Sequence, residues 1–131
     1  MGKGIAFLQE AGVYFIATSD KDQPQLRPFG SNMEYQGRFY FSMGRSKAVF
    51  QQMVSNPKVS IAAIKPNRDW IRILGNAVLD ESAEARDYFF EQSPRIRDIY
   101  KDKLAEAAIF YLSDVTCTIF EAGKDPVQAD M

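Results

Sequence analysis

The sequence predicts a mainly β (α+β) fold, a six-stranded antiparallel barrel with short flanking helices. Two observations carry this. About six segments are rich in β-branched and aromatic residues and are joined by short polar turns, which favours hairpins and an antiparallel sheet. Only three stretches have helical spacing, too few for a doubly wound parallel sheet, and so many hairpin-linked strands in one small chain favour a barrel.

Each element follows from local pattern. Ile5, Leu8 and Gly12 are spaced for a short helix with one apolar face, ended by Gly12. Val13 to Thr18 reads as a buried strand, and Asp20 to Pro24 as a polar turn. Gln25 to Glu34 is extended but punctuated: Pro28 cannot donate to a ladder, and Gly30 suggests a bulge or a close backbone approach. Tyr35-Gln36-Gly37-Arg38 is a hairpin turn into Phe39–Met43. Ser46 is a good N-cap for a helix whose stripe is Val49, Phe50, Met53 and Val54, stopped by Asn56-Pro57. Lys58 to Ile64 alternates as a strand, Lys65 to Asp69 turns, and Trp70 to Leu79 is a strand softened by Gly75. Asp80 or Ser82 caps a helix across Ala85, Tyr88 and Phe89, which Ser93-Pro94 interrupts before a second piece running to about Leu104. Ile109 to Glu121 is the last long strand, and residues 122–131 read as a loose polar tail.

Composition narrows the chemistry. The 131 residues are 46% hydrophobic and 13% aromatic, enough for one domain (1–131) that buries about two-thirds of its unfolded surface. Sixteen Lys and Arg against seventeen Asp and Glu give a net charge of −1, with no global attraction for nucleic acid or an anionic membrane. There is no histidine and one cysteine. That removes His-based nucleophile activation, His-ligated metals and an intrachain disulfide, and no metal site is expected. Hard chemistry then falls to a bound organic cofactor. No segment reaches the roughly 18 apolar residues of a membrane span, and the N-terminal run Ile5–Leu8 is too short for a signal-peptide core, so a cytoplasmic location is expected.

Candidate site residues concentrate between Arg27 and Lys47. Arg27-Pro28-Phe29-Gly30 lies where Pro and Gly are costly in a strand. Gly44-Arg45-Ser46-Lys47 opens a helix and combines two cations, a hydroxyl and free N–H groups, which suits a phosphate. A helix cap flanked by solvated basic residues is the plainer reading, and Arg27 has its own, pairing with a carboxylate on a neighbouring strand. If the Gly37 hairpin pairs the flanking strands, Arg27 and Lys47 bracket one anion. Trp70 is either packing at a barrel end or an apolar wall for a flat ring, with Arg72 beside it. Cys117 alternates with Val115 and Ile119 and reads as core. The charge run Arg95 to Lys103 reads as the solvated face of a helix.

Taken in order, Val13–Thr18, Pro24–Gly30, Phe39-Tyr40-Phe41, Ser46-Lys47, Asn56–Val59 and Trp70–Ala77 resemble the pyridoxamine 5′-phosphate oxidase-like, FMN-binding split-barrel family, in its short, nitroimidazole-resistance-type branch. The resemblance implies a six-stranded split barrel and a homodimer holding two FMN molecules between its subunits. It implies phosphate and ribityl contacts from Arg27, Arg45, Ser46 and Lys47. It lays Pro28, Phe29 and Gly30 along the flavin ring, with Phe41, Ser42 and Met43 at the strand end beneath, and brings Trp70 and Arg72 from the dimer side. The implied activity is electron transfer from a reductant such as NAD(P)H to a small organic acceptor; a non-catalytic flavin carrier or sensor is the alternative, and a deazaflavin or no cofactor a third. No catalytic residue is assigned. Where the vitamin oxidase has Tyr-Phe-x-x-Arg-Pro to grip its substrate's phosphate, this chain has Phe89-Phe90-Glu91-Gln92-Ser93-Pro94. The oxidase's C-terminal Arg and His also have no counterpart before Met131, and both departures argue against oxidation of pyridoxamine phosphate.

Overall fold

The structure, a computed structural model, describes residues 2–131. Its elements are α1 (Lys3–Ala11), β1 (Tyr14–Asp20), β2 (Gln23–Phe29), β3 (Met33–Tyr35), β4 (Arg38–Gly44), α2 (Ala48–Ser55), β5 (Lys58–Ile64), β6 (Trp70–Leu79), α3 (Ala83–Gln92), α4 (Pro94–Tyr100), a 3₁₀ turn (Leu104–Glu106), β7 (Ala107–Phe120) and β8 (Val127–Ala129). All strand pairs are antiparallel, in one sheet of order β2-β1-β5-β6-β7-β4-β3, with β8 added to β7. The fold is therefore the expected α+β, mainly antiparallel one, with eight strands rather than six.

Each extra strand has an identifiable cause. The stretch expected as one extended segment divides at Gly30-Ser31-Asn32 into β2 and β3. These consecutive strands are the two opposite edges of the sheet, so residues 30–32 cross its open side. Pro24 and Pro28 both lie in β2, an edge strand bonded only to β1, where a missing N–H costs no ladder bond. The second extra strand is β8, in the segment expected to be loose. Its residues pair with Cys117–Ile119, and the carbonyls of Asp130 and Met131 accept from the Gly4 and Ile5 N–H groups at 2.8 Å. Those carbonyls satisfy first-turn donors of α1 that have no partner inside the helix. The approach is close at Gly4: a Cβ there would lie 2.7 Å from Met131 Sδ, 3.0 Å from Cys117 Sγ and 3.2 Å from the Asp130 carbonyl oxygen.

The sheet curls without closing. Tyr14 of β1 and Phe39 of β4 are far apart in strand order, yet their rings meet edge-on at 5.5 Å. Phe29 of β2 and Phe41 of β4 meet at 6.1 Å. The inner faces form one core that includes Ile16, Ile61, Ile71, Ile73, Phe41 and Phe110. Cys117 belongs to it as expected. Across the split, the Tyr14 hydroxyl donates to the Ser31 carbonyl at 2.6 Å, and Ser31 Oγ donates to the Ser42 carbonyl at 3.2 Å. Helix α2 packs on both β1 and β4 and covers the gap from one side.

The turns and caps follow their residues. Gly12 ends α1 at φ +84°, and the β3–β4 turn carries Gln36 and Gly37 at φ 53° and 75°, the left-handed pair a tight hairpin needs. The Ala85 N–H donates to Ser82 Oγ at 3.2 Å, so Ser82 is the cap of α3, and Pro94 opens α4. Helix α2 starts later than expected: Lys47, not Ser46, is its N-cap, and no side chain caps it. Helix α3 lies over the outer side of β3, β4 and β7, where Met33, Tyr40, Ala85, Phe89 and Ile109 form a second small core.

Candidate functional site

A cleft of about 830 Å³ opens beside the split. One wall is the end of β2 and the crossing segment, Pro28 to Asn32, with Ser42 of β4. The other wall is Ser93-Pro94 and helix α4, through Arg95, Ile96, Ile99 and Tyr100. Alternation along β4 sends Phe41 and Met43 into the core and turns Ser42 to the opposite face. Ser42 is held there by Ser31: its N–H donates to Ser31 Oγ at 3.2 Å, and its Oγ contacts the same atom at 3.3 Å. Gly30 is exposed, and a Cβ placed on it meets nothing within 4 Å. The backbone of this wall is thus open to a flat ligand.

The cation cluster is arranged differently from the sequence expectation. Arg27 has no carboxylate partner among the described residues. Its guanidinium donates to Thr18 Oγ1 (2.8 Å), Gln52 Oε1 (2.7 Å) and the Ile16 carbonyl (3.2 Å), on the inward side of β2 beneath α2. Burial lowers its pKa, but an arginine remains charged at neutral pH. Gln52 lies five residues beyond Lys47, about 7.5 Å along the helix axis. Arg45 is engaged by protein groups. Its Nε donates to the Ala105 carbonyl at 2.9 Å, it pairs with Glu81, and it lies over the Phe50 ring at 5.5 Å. The Ser46 N–H donates to Glu106 Oε1 at 2.8 Å, and hydrogen bonds from Ser46 hold the Glu106 carboxyl below its ordinary pKa. Lys47 is exposed and makes no ion pair among the described residues. The turn meets the cleft at Tyr100, whose hydroxyl is 3.4 Å from a Cβ placed on Gly44. Burial, with the nearby Glu106 charge, raises the Tyr100 pKa, so it is a neutral O–H donor.

Trp70 and Arg72 lie elsewhere in the protomer. Trp70 stacks on Phe120 at 4.0 Å, and the Arg72 guanidinium sits 5.1 and 5.4 Å from the two ring centres. Both are on the outer face of the sheet, where Pro28, Phe15, Ala62 and Arg72 are successive cross-strand partners. Three strand spacings of about 4.8 Å put Arg72 about 14 Å from Pro28. Of the twelve expected residues, Pro28, Phe29, Gly30 and Ser42 line the cleft; Arg45, Ser46 and Lys47 adjoin it; Arg27, Phe41, Met43, Trp70 and Arg72 do not.

The family model described as pyridoxamine 5′-phosphate oxidase matches residues 5–111, most of the chain and all of the β2–β4 wall. The chain belongs to this family. The solved structure of a NimC/NimA family protein from Clostridium acetobutylicum is 31% identical, covering 97% of this chain and 89% of that one, with a TM-score of 0.92. General stress protein 26 of Bacillus anthracis shares the fold at 15% identity, covering 96% and 95% of the two chains with a TM-score of 0.72. A FAD-binding protein of Mesorhizobium loti does so at 13% identity, 92% and 98% coverage and a TM-score of 0.59. No curated protein matches the chain.

A flavin is the cofactor this family brings into question, and the residues fit one. The cleft volume lies within the roughly 300–1,000 Å³ of small-molecule sites, and the open Gly30 wall accommodates a flat ring. The α4 wall was missed by sequence reading. Ile96, Ile99 and Tyr100 have helical spacing, a signal hidden within a charged run. Ser93, which stands where the oxidase has its phosphate-gripping Arg, lines this cleft.

Proposed function

We propose that the protein is an FMN-binding flavoprotein, working as an oxidoreductase that takes electrons from a reductant such as NAD(P)H and passes them to a small organic acceptor. The observation that carries this is the cleft wall: a bare, exposed Gly30 between Pro28 and a locked Ser31–Ser42 pair, in a pyridoxamine 5′-phosphate oxidase family chain. When bound, FMN supplies the hydride chemistry. The chain's part is to seat the ring on Pro28–Gly30, to present the Ser31–Ser42 pair and the neutral Tyr100 hydroxyl at its edges, and to exclude water with Ile96 and Ile99. Of the four residues expected at the phosphate, Lys47 is the exposed cation with no ion pair among the described residues; Arg45 and the Ser46 N–H are held by carboxylates, and Arg27 is held by neutral acceptors alone. The reading includes a homodimer with the cofactor at the subunit boundary; Trp70 and Arg72 lie away from the cleft within one protomer and belong to the site only if a second copy supplies them.

Titrating the purified protein with FMN, then adding NAD(P)H without oxygen, tests this. Saturable binding followed by bleaching of the flavin absorbance is expected; absence of flavin binding overturns the reading. Bound FMN that stays oxidised supports the carrier or sensor reading. One feature favours that second reading: the cleft lining holds no carboxylate and no histidine to move a proton. Mass measurement of the extracted ligand separates FMN from a deazaflavin.

A further inference from the structure

The lining of the cleft is electrically one-sided. Among the described residues, no Asp or Glu contributes to it, and Arg95 is its one charged side chain at neutral pH. Arg95 is exposed and makes no ion pair or side-chain hydrogen bond among the described residues, although other arginines nearby do: Arg86 sits on Asp87 and Arg97 on Asp98. Its position does not serve the helix either. Arg95 is the second residue of α4, in the first turn, where the helix dipole disfavours a cation. The polar groups opposite are occupied: Ser31 and Ser42 bond to each other, and the Asn32 amide donates to the Gly30 carbonyl at 3.3 Å. Around Arg95 the surface is apolar and open. Ile99 is 59% exposed and Val13 54%, and Ile96 and Pro28 line the same cleft. Residues 95, 96, 99 and 100 share the cleft side of α4, so the guanidinium, the isoleucines and the Tyr100 hydroxyl face one space.

We propose that this α4 wall is the acceptor subsite, and that it selects a small molecule with an apolar body and one anionic group, held by the Arg95 guanidinium. Arg95 is then a specificity-determining residue. The proposal rests on the flavin reading above: with the ring seated on Pro28–Gly30, the α4 residues that shield it from water are also the wall a second molecule meets. The same guanidinium chemistry also suits the phosphate of FMN, so the test separates the two sources of the anion.

Two probes of one shape and different charge, 2-naphthoate and 2-naphthamide, are titrated calorimetrically into the protein with and without FMN. Naphthoate is expected to bind about tenfold or more tighter, the size of a hydrogen bond to a charged group. Arg95→Ala should abolish that preference, while Arg97→Ala, on the same helix but already paired, should keep it. In parallel, Arg95→Ala should bind FMN and riboflavin as the parent protein does. Equal binding of the two probes, or a preference that survives Arg95→Ala, overturns the proposal. So does a loss of FMN affinity in Arg95→Ala that riboflavin does not share, which would assign Arg95 to the cofactor phosphate. Failure of the parent protein to bind FMN sinks the flavin reading instead, and the flavin-free titrations still decide whether Arg95 selects an anion.

Discussion

Gly30 shows how much a single residue discloses about the site. A glycine two residues after a proline in a segment that reads as extended is costly unless something approaches the backbone, and that cost was visible in the sequence. The structure gives the reason, since a Cβ there points into empty cleft rather than into the protein. Gly30→Leu should therefore fold normally, within the roughly 0.5 kcal/mol typical of surface substitutions, while lowering FMN affinity about tenfold or more. Thermal unfolding and a flavin titration check the two halves separately. The phosphate residues were only partly legible. Arg45 and Ser46 have the right chemistry for an anion, but sequence cannot show that Glu81 and Glu106, distant in the chain, already hold them. Lys47 is the exposed cation left beside them. Lys47→Ala should weaken FMN by about 1–3 kcal/mol and leave riboflavin unchanged, because only FMN carries the charge. Equal titration curves for the two proteins would place the phosphate elsewhere.

At the scale of elements, strands and tight turns were readable because period-two alternation and turn residues are local signals. β1, β4, β5, β6 and β7 follow from them. The errors are all where the deciding contact is distant. Nothing near residues 127–129 announces a strand; it forms because β7 offers a free edge and α1 offers unpaired N–H groups. Helix α4 reads as a solvated face because its charges outnumber its isoleucines, and only the opposing β2–β4 wall makes those isoleucines a lining. The 3₁₀ turn before β7 is a third case, since Glu106 docks it on the β4–α2 turn through Ser46. That contact has a pH signature. The folded-state pKa of Glu106 is depressed below its ordinary value of 4.5, so its contribution is present above that value and is lost as pH falls through the lower folded pKa. Glu106→Gln should therefore be less stable than the parent at neutral pH, with the difference shrinking toward zero in acid. Parallel urea melts across pH 3 to 7 measure it, and a difference independent of pH would mean the carboxylate charge is not what holds the turn.

The whole molecule leaves one surface unexplained by its own core. The outer face of β2, β1, β5 and β6 exposes Leu26 (68%), Ile64 (58%), Leu74 (47%) and Phe15 (45%), with the Trp70–Phe120 stack among them. Contiguous apolar surface of this kind marks an interface, and a self-complementary patch on one chain most simply meets its own copy about a two-fold axis. The same face runs from Pro28 at the cleft rim to Arg72, so a second protomer laid across it would reach the cleft as well as cover the apolar residues. On the proposed reading, with a flavin between two chains, assembly and flavin binding would be one equilibrium: the ligand would stabilise the pair, and the pair would complete the ligand's surroundings. The double substitution Ile64→Asp with Leu74→Asp puts charges on this face while leaving the inner core and every cleft residue unchanged. The parent should run at twice its 14.9 kDa chain mass in light scattering, and the variant as a folded single chain with flavin affinity lowered about tenfold or more. A parent that stays a single chain at all concentrations yet binds flavin tightly would overturn the dimer and place the whole cofactor site within one subunit. A monomeric variant with undiminished flavin affinity would leave the dimer standing but remove Trp70 and Arg72 from the site.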